Sequence, residues 1–144
     1  MHMMKQEIQK AFSQITSTLR ETMTDLSDSA KEKTISIIES WLDVFPELES
    51  MGLEITSFGV TLALSPSLEV ELSGPAGLFD QGRLESYREK YANSIHVNTV
   101  LRTIHTSKQL YHKLGKKNTD EIFLKIKVKI PPEVGVFFGR PAIP

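Results

Sequence analysis

The sequence predicts an α+β domain in which a long N-terminal helical segment packs on a small antiparallel sheet. Three observations lead to this fold class: an apolar repeat of helical period over residues 4–48, alternation of period two around residues 60–72, and a second alternating run at 122–130. A chain of 144 residues suits a single domain. The expected order is a helical segment, a β-hairpin, a pair of helices and a last strand, with about three strands in the sheet.

The helical segment spans residues 4–45, because apolar residues recur there at intervals of 4, 4 and 3. Pro46 limits the helix at or near Phe45. The polar run 27–34 contains a capping box, Ser29-Ala30-Lys31-Glu32, so a helical hairpin that turns at residues 27–29 is the alternative to one long helix. The continuous apolar phase favours the long helix. Its stripe comprises Ile8, Phe12, Ile15, Leu19, Met23, Leu26, Ala30, Thr34, Ile37, Trp41, Phe45 and Leu48.

A β-hairpin is predicted over residues 53–72. Each strand alternates apolar residues with small or polar ones, and Ser65-Pro66-Ser67 supplies the turn. Gly59 is a candidate bulge in the first strand. The residues expected to face the core are Val60, Leu62, Leu64, Leu68, Val70 and Leu72.

A helix pair is predicted over residues 81–114, with Asp80 as the cap of its first helix and Gly115 at the stop position of its second. The last strand, 122–130, carries apolar residues on one face and lysines on the other. We expect it to lie beside the strand at 68–72, so that Glu69 and Glu71 stand opposite the lysines. The apolar face comprises Ile122, Leu124, Ile126, Val128 and Ile130.

Residues 131–144 form an apolar tail rich in proline, with Phe137 and Phe138 at its centre. Two interpretations stay open. The segment is either a short extra strand that covers the core, or an arm that docks on a neighbouring subunit or partner by strand addition.

Charge is distributed unevenly along the chain. Residues 1–80 hold five basic and thirteen acidic side chains, whereas residues 81–144 hold twelve basic and five acidic ones. The halves either complement each other within the assembly or leave a basic face for nucleic acid or another polyanion. The strand prediction accounts for the lysines and disfavours the polyanion. That face would contain Lys113, Lys116, Lys117, Lys125, Lys127 and Lys129.

The sequence offers little chemistry. The absence of cysteine excludes disulfides, thiolate metal sites and cysteine nucleophiles. His105 and His112 are seven residues apart on one helix face, about 10 Å, which is too far for a shared metal ion. We therefore predict no catalytic residue, metal or cofactor. An enzyme whose site is built from scattered residues is the alternative. The absence of a secretory leader or a long apolar stretch predicts a cytoplasmic protein without a membrane span.

These features predict a non-enzymatic assembly or adaptor protein that self-associates or binds a protein partner through the amphipathic helix. A narrow apolar stripe on a helix longer than the domain needs a second surface to cover it. The alternatives are a carrier of an apolar ligand or lipid, and a polyanion-binding protein. The predicted interface residues are Ile8, Phe12, Ile15, Leu19, Met23, Leu26, Trp41, Phe45, Phe137 and Phe138.

Overall fold

The computed structural model describes residues 28–61, 67–115, 121–130 and 132–139, together with positions 14, 17 and 21. Helix α1, Asp28–Leu42, buries Thr34, Ile35, Ile38 and Trp41 against the rest of the domain. Residues 28–34 are helical, so no turn begins at Asp28 or Ser29. Residue 27 lies outside the described residues, as does most of the predicted segment before it.

Helix α1 ends at Leu42, three residues before the predicted limit at or near Phe45. The break lies at Asp43, and helix α2 runs over Val44–Ser50 with Pro46 as its third residue. The first N–H groups of a helix have no intrahelical acceptor, so a proline in the first turn sacrifices no hydrogen bond. A proline therefore fits α2 once the chain has broken one turn earlier.

Within the described residues the sheet has four antiparallel strands, compared with the expected number of about three. Their order is β1, Glu54–Thr61; β2, Ser67–Pro75; β3, Glu121–Val128; and β4, Glu133–Phe138. β1 and β2 pair as the predicted hairpin, whose connection at 62–66 lies outside the described residues. β4 comes from the proline-rich tail, so the interpretation of that segment as an extra strand is confirmed.

β1 departs from the predicted burial pattern. Its register shifts between Ile55 and Ser57, not at Gly59. Val60 was expected in the core but is 39% exposed. β1 is an edge strand, and its residues from 56 to 61 are all exposed. Leu62 and Leu64 lie outside the described residues. Ile130 was expected to face the core as well, but it follows the end of β3 and is 49% exposed.

The predicted helix pair is present between β2 and β3. A 3-10 turn, Ala76–Phe79, leads into α3, Gln81–Lys90, and α4 follows over Ile95–Lys113. The Asp80 carboxylate accepts the N–H of Arg83 at 2.9 Å, as expected of an N-cap. The chain leaves α4 through Gly115, whose φ of +78° suits the predicted stop position.

One hydrophobic core lies between the helices and one face of the sheet. The other face of the sheet, called the open face below, carries the alternating polar side chains of β2 and β3. No helix in the described ranges has the length and apolar content needed to cross a membrane. The largest fully buried side chains are those of Trp41, Phe45, Phe79, Ile35, Ile38, Leu48, Leu53, Leu68, Leu72, Leu101 and Ile104.

Candidate interaction surfaces

The first candidate surface is the N-terminal stripe, defined as Ile8, Phe12, Ile15, Leu19, Met23 and Leu26, whose residues lie outside the described ones. Three positions between them are described: Gln14, Ser17 and Glu21 are helical and exposed. On a helix of 3.6 residues per turn these three positions share one face. That face lies on the opposite side of the helix from the stripe, about 200° around the axis from its centre. The exposed positions are therefore those expected for the polar side of an amphipathic helix.

Trp41 and Phe45 were predicted as interface anchors, but the structure places both in the core. They are 1% and 0% exposed, and their ring centroids are 6.5 Å apart. Trp41 also stacks on His96 at the start of α4, with ring centroids 4.4 Å apart. Neither aromatic residue offers surface to a partner in this structure, because the fold itself covers both.

His96 forms a polar contact beside this aromatic stack. Its Nε2 atom lies 3.1 Å from the Ser40 hydroxyl oxygen, and that hydroxyl donates to the Ile37 carbonyl at 2.7 Å. Burial lowers the pKa of His96, which favours the neutral ring against Trp41. Through this contact the pair joins α1 to α4.

The second candidate surface is the open face. Its charges oppose each other as predicted: Glu69 pairs with Lys127 and Glu71 with Lys125 in the β2–β3 register. Lys127 Nζ lies 3.8 Å from a Glu69 oxygen, and Lys129 Nζ lies 3.2 Å from Glu133. Such exposed pairs contribute about 0–1 kcal/mol each, but they reduce the positive charge that a polyanion would meet.

Two adjoining grooves of about 910 and 580 Å³ run across the open face. Their linings include five glutamates but only two of the lysines, so the charge of this face does not favour a polyanion. Of the other predicted basic residues, Lys113 is exposed at the end of α4, while Lys116 and Lys117 lie outside the described residues. The charged lining residues are Glu54, Glu69, Glu71, Glu121, Glu133, Lys125 and Lys127.

The third candidate surface is β4, which places the two predicted tail aromatics on opposite faces of the sheet. Phe137 lies on the open face, where Lys125 Nζ is 5.4 Å from its ring centroid. Phe138 lies on the helical face and stacks on Tyr111 of α4, with centroids 4.3 Å apart. Both rings are only half-buried. Within the described residues β4 is the last strand of the sheet, so its outer edge adjoins no other strand.

Lys108 is a buried polar residue that sequence reasoning missed. It is 9% exposed, and its ammonium group donates to the Phe79 carbonyl at the end of the 3-10 turn. Burial lowers the pKa of Lys108, and the nearby charge of Asp80 partly opposes that shift. The sequence held one signal of this burial: Lys108 follows Ile104 by four residues and so lies on the buried side of α4.

The part of the chain that the structure describes contains no cluster of three or more side chains suited to a metal ion. Comparisons with protein-family models, curated proteins and solved structures find no match to this chain. The function proposed below therefore follows from the chain's own residues.

Proposed function

We propose that this chain is a non-enzymatic assembly or adaptor protein that self-associates or binds a protein partner through the N-terminal stripe. The observation that carries the proposal is the helical, exposed state of Gln14, Ser17 and Glu21. These residues occupy the side that an amphipathic helix turns to water, which leaves the six stripe residues for the opposite, apolar side.

The stripe has the composition of a contact surface. Complete burial of six large apolar side chains contributes roughly 9–18 kcal/mol, against an association cost of about 4–15 kcal/mol. The burial gain exceeds the association cost at the midpoints of the two ranges. The aromatic residues nearest the C-terminal end of the same helical pattern, Trp41 and Phe45, are used by the core, so the proposed contact rests on the aliphatic residues and Phe12.

The test compares two double variants of the full chain. Ile15→Glu with Leu19→Glu places carboxylates in the stripe, whereas Gln14→Glu with Ser17→Glu adds the same charge at positions that are exposed. Native mass spectrometry and sedimentation velocity should show the same oligomer for the wild type and the control pair, and a smaller assembly for the stripe pair. Far-UV circular dichroism and Trp41 fluorescence establish that each variant is folded.

Two results would contradict the proposal. A folded stripe variant that keeps the wild-type assembly state would show that the stripe does not hold the assembly together. A stripe variant that unfolds, at a concentration where the wild type is a monomer, would show that the stripe belongs to the core.

A further inference from the structure

The outer edge of β4 presents an ordered set of backbone groups. The Gly139 N–H donates to the Glu121 carbonyl at 2.8 Å, which continues the β3–β4 register by one residue. Hydrogen-bonded and non-hydrogen-bonded pairs alternate along an antiparallel ladder. Glu133, Gly135 and Phe137 therefore direct their backbone groups toward β3, and the residues that direct theirs to the outer edge are Val134, Val136 and Phe138.

The two edges of the sheet differ in regularity. β1 carries a bulge between Ile55 and Ser57, which distorts its ladder. β4 has no bulge in its register with β3, and from Val134 to Phe138 it contains neither charge nor proline. A regular apolar edge of this kind is a template for another strand.

We propose that β4 pairs with β4 of a second copy of this chain, antiparallel across a two-fold axis at Val136. In this register Val136 faces its own copy, and Val134 faces Phe138 of the other copy. All three outward-directed residues are then paired, which forms six backbone hydrogen bonds. Shifting the two-fold axis to either side leaves at least one of these residues without such a partner. Pro132 before the strand and Gly139 after it, where φ is +75°, limit its extension.

Side-chain chemistry agrees with a second copy as the occupant. On the helical face, valine meets valine and Val134 meets Phe138, so apolar side chains face apolar ones. On the open face, Phe137 stands opposite Gly135 of the other copy, beside the Phe137 ring that lies over that glycine in its own chain. Glu133 stands opposite Gly139, so no two carboxylates face each other across the axis. The pairing uses residues other than those of the N-terminal stripe.

The absence of native cysteine allows a direct test with single-cysteine variants. Opposed residues of a hydrogen-bonded antiparallel pair have Cα atoms about 5.5 Å apart, a separation that a disulfide spans. Val136→Cys should therefore form a disulfide-linked dimer under mild oxidation. Val134→Cys is the matched control: it lies on the same face, but the register holds it roughly 14 Å from its own copy. It should therefore stay monomeric on a non-reducing gel.

A second pair of variants tests the backbone contact. Val136→Pro removes the N–H that points to the axis without removing a bond to β3, whereas Val136→Ala shortens the side chain and keeps the N–H. We expect the proline variant to weaken dimerisation by about tenfold or more relative to the alanine variant, measured by sedimentation equilibrium. If Val136→Pro disturbs β4 itself, the comparison of Val136→Cys with Val134→Cys decides whether the pairing exists.

Failure of Val136→Cys to crosslink would overturn this pairing, and equal crosslinking of both cysteine variants would do the same by indicating random collision. Either result leaves the proposed function intact, because that function is tested by the stripe variants.

Discussion

Replacing Phe45 by alanine tests whether this side chain belongs to the core or to an interface. Phe45 is 0% exposed, so the substitution removes a completely buried ring. Truncations of this kind cost about 3–5 kcal/mol, a large share of the roughly 5–15 kcal/mol that stabilises a typical domain. For a chain of this length, a loss of about 4 kcal/mol lowers the melting temperature by roughly 8–16 °C. The variant should still fold at room temperature.

Phe137→Ala is the matched comparison, because sequence reasoning assigned both phenylalanines to an interface. Phe137 is half-buried, and its truncation removes the contact with Lys125 together with part of the cover over Gly135. The expected cost is about 1–2 kcal/mol.

Thermal unfolding at two protein concentrations provides the assay. An oligomer melts at a higher temperature when it is concentrated. If Phe45 is a core residue, its variant melts at a lower temperature but keeps the concentration dependence of the wild type. The reasoning is refuted if Phe45→Ala melts within about 2 °C of the wild type, or if the variant loses that concentration dependence while it remains folded.

Two further predictions follow from local geometry. Gly52 has a φ of +107°, and a Cβ atom there would lie 2.9 Å from Leu78 Cδ2, whereas a Cβ at Gly77 would meet nothing within 4 Å. Gly52→Ala should cost about 1–3 kcal/mol and Gly77→Ala less than about 0.5 kcal/mol in urea titrations, so equal costs would contradict the geometry. Burial lowers the pKa of His96, so the unfolded chain binds a proton first as the pH falls through about 6.5, and folded stability is lost below that pH. His96→Gln should flatten the fall in melting temperature between about pH 7.5 and 5.5, and an unchanged fall would assign it to other groups.

The sheet was predictable where one strand carries both an apolar and a charged face. The alternation at 122–128 and the glutamates at 69 and 71 together predicted the β2–β3 pairing, and the register confirms it. β4 was harder to assign because its five apolar residues in a row show no polar alternation. That absence is explained by its position, since both of its faces are half-buried.

The predictions for Val60 and Pro46 differ from the structure for a common reason, which is that local sequence does not show the tertiary surroundings of a residue. The alternation around Val60 indicates a strand with an apolar face, but burial also requires a layer over that face, and the edge position of β1 leaves the residue poorly covered. Pro46 is a strong helix breaker in a helix interior, yet it is tolerated in a first turn. Local sequence did not reveal that the chain breaks at Asp43, where no side-chain cap marks the new helix.

The candidate surfaces were only partly predictable, because apolar periodicity does not distinguish a core from an interface. Trp41 and Phe45 continue the spacing of the stripe, but Trp41 is stacked on His96, a residue 55 positions later in the chain. Lys108 shows the converse case. A lysine on the buried side of α4 contradicts the pattern, and its role depends on the Phe79 carbonyl that the fold brings to it.

The two proposed surfaces together restrict the assemblies that this chain can form. Pairing of β4 about a two-fold axis uses the same patch on both copies, so it ends at a dimer and joins two sheets into one of eight strands. If the N-terminal stripe also pairs about a two-fold axis, each copy carries two such contacts. Their combination closes only as a tetramer or another even-numbered assembly, and otherwise continues as a filament.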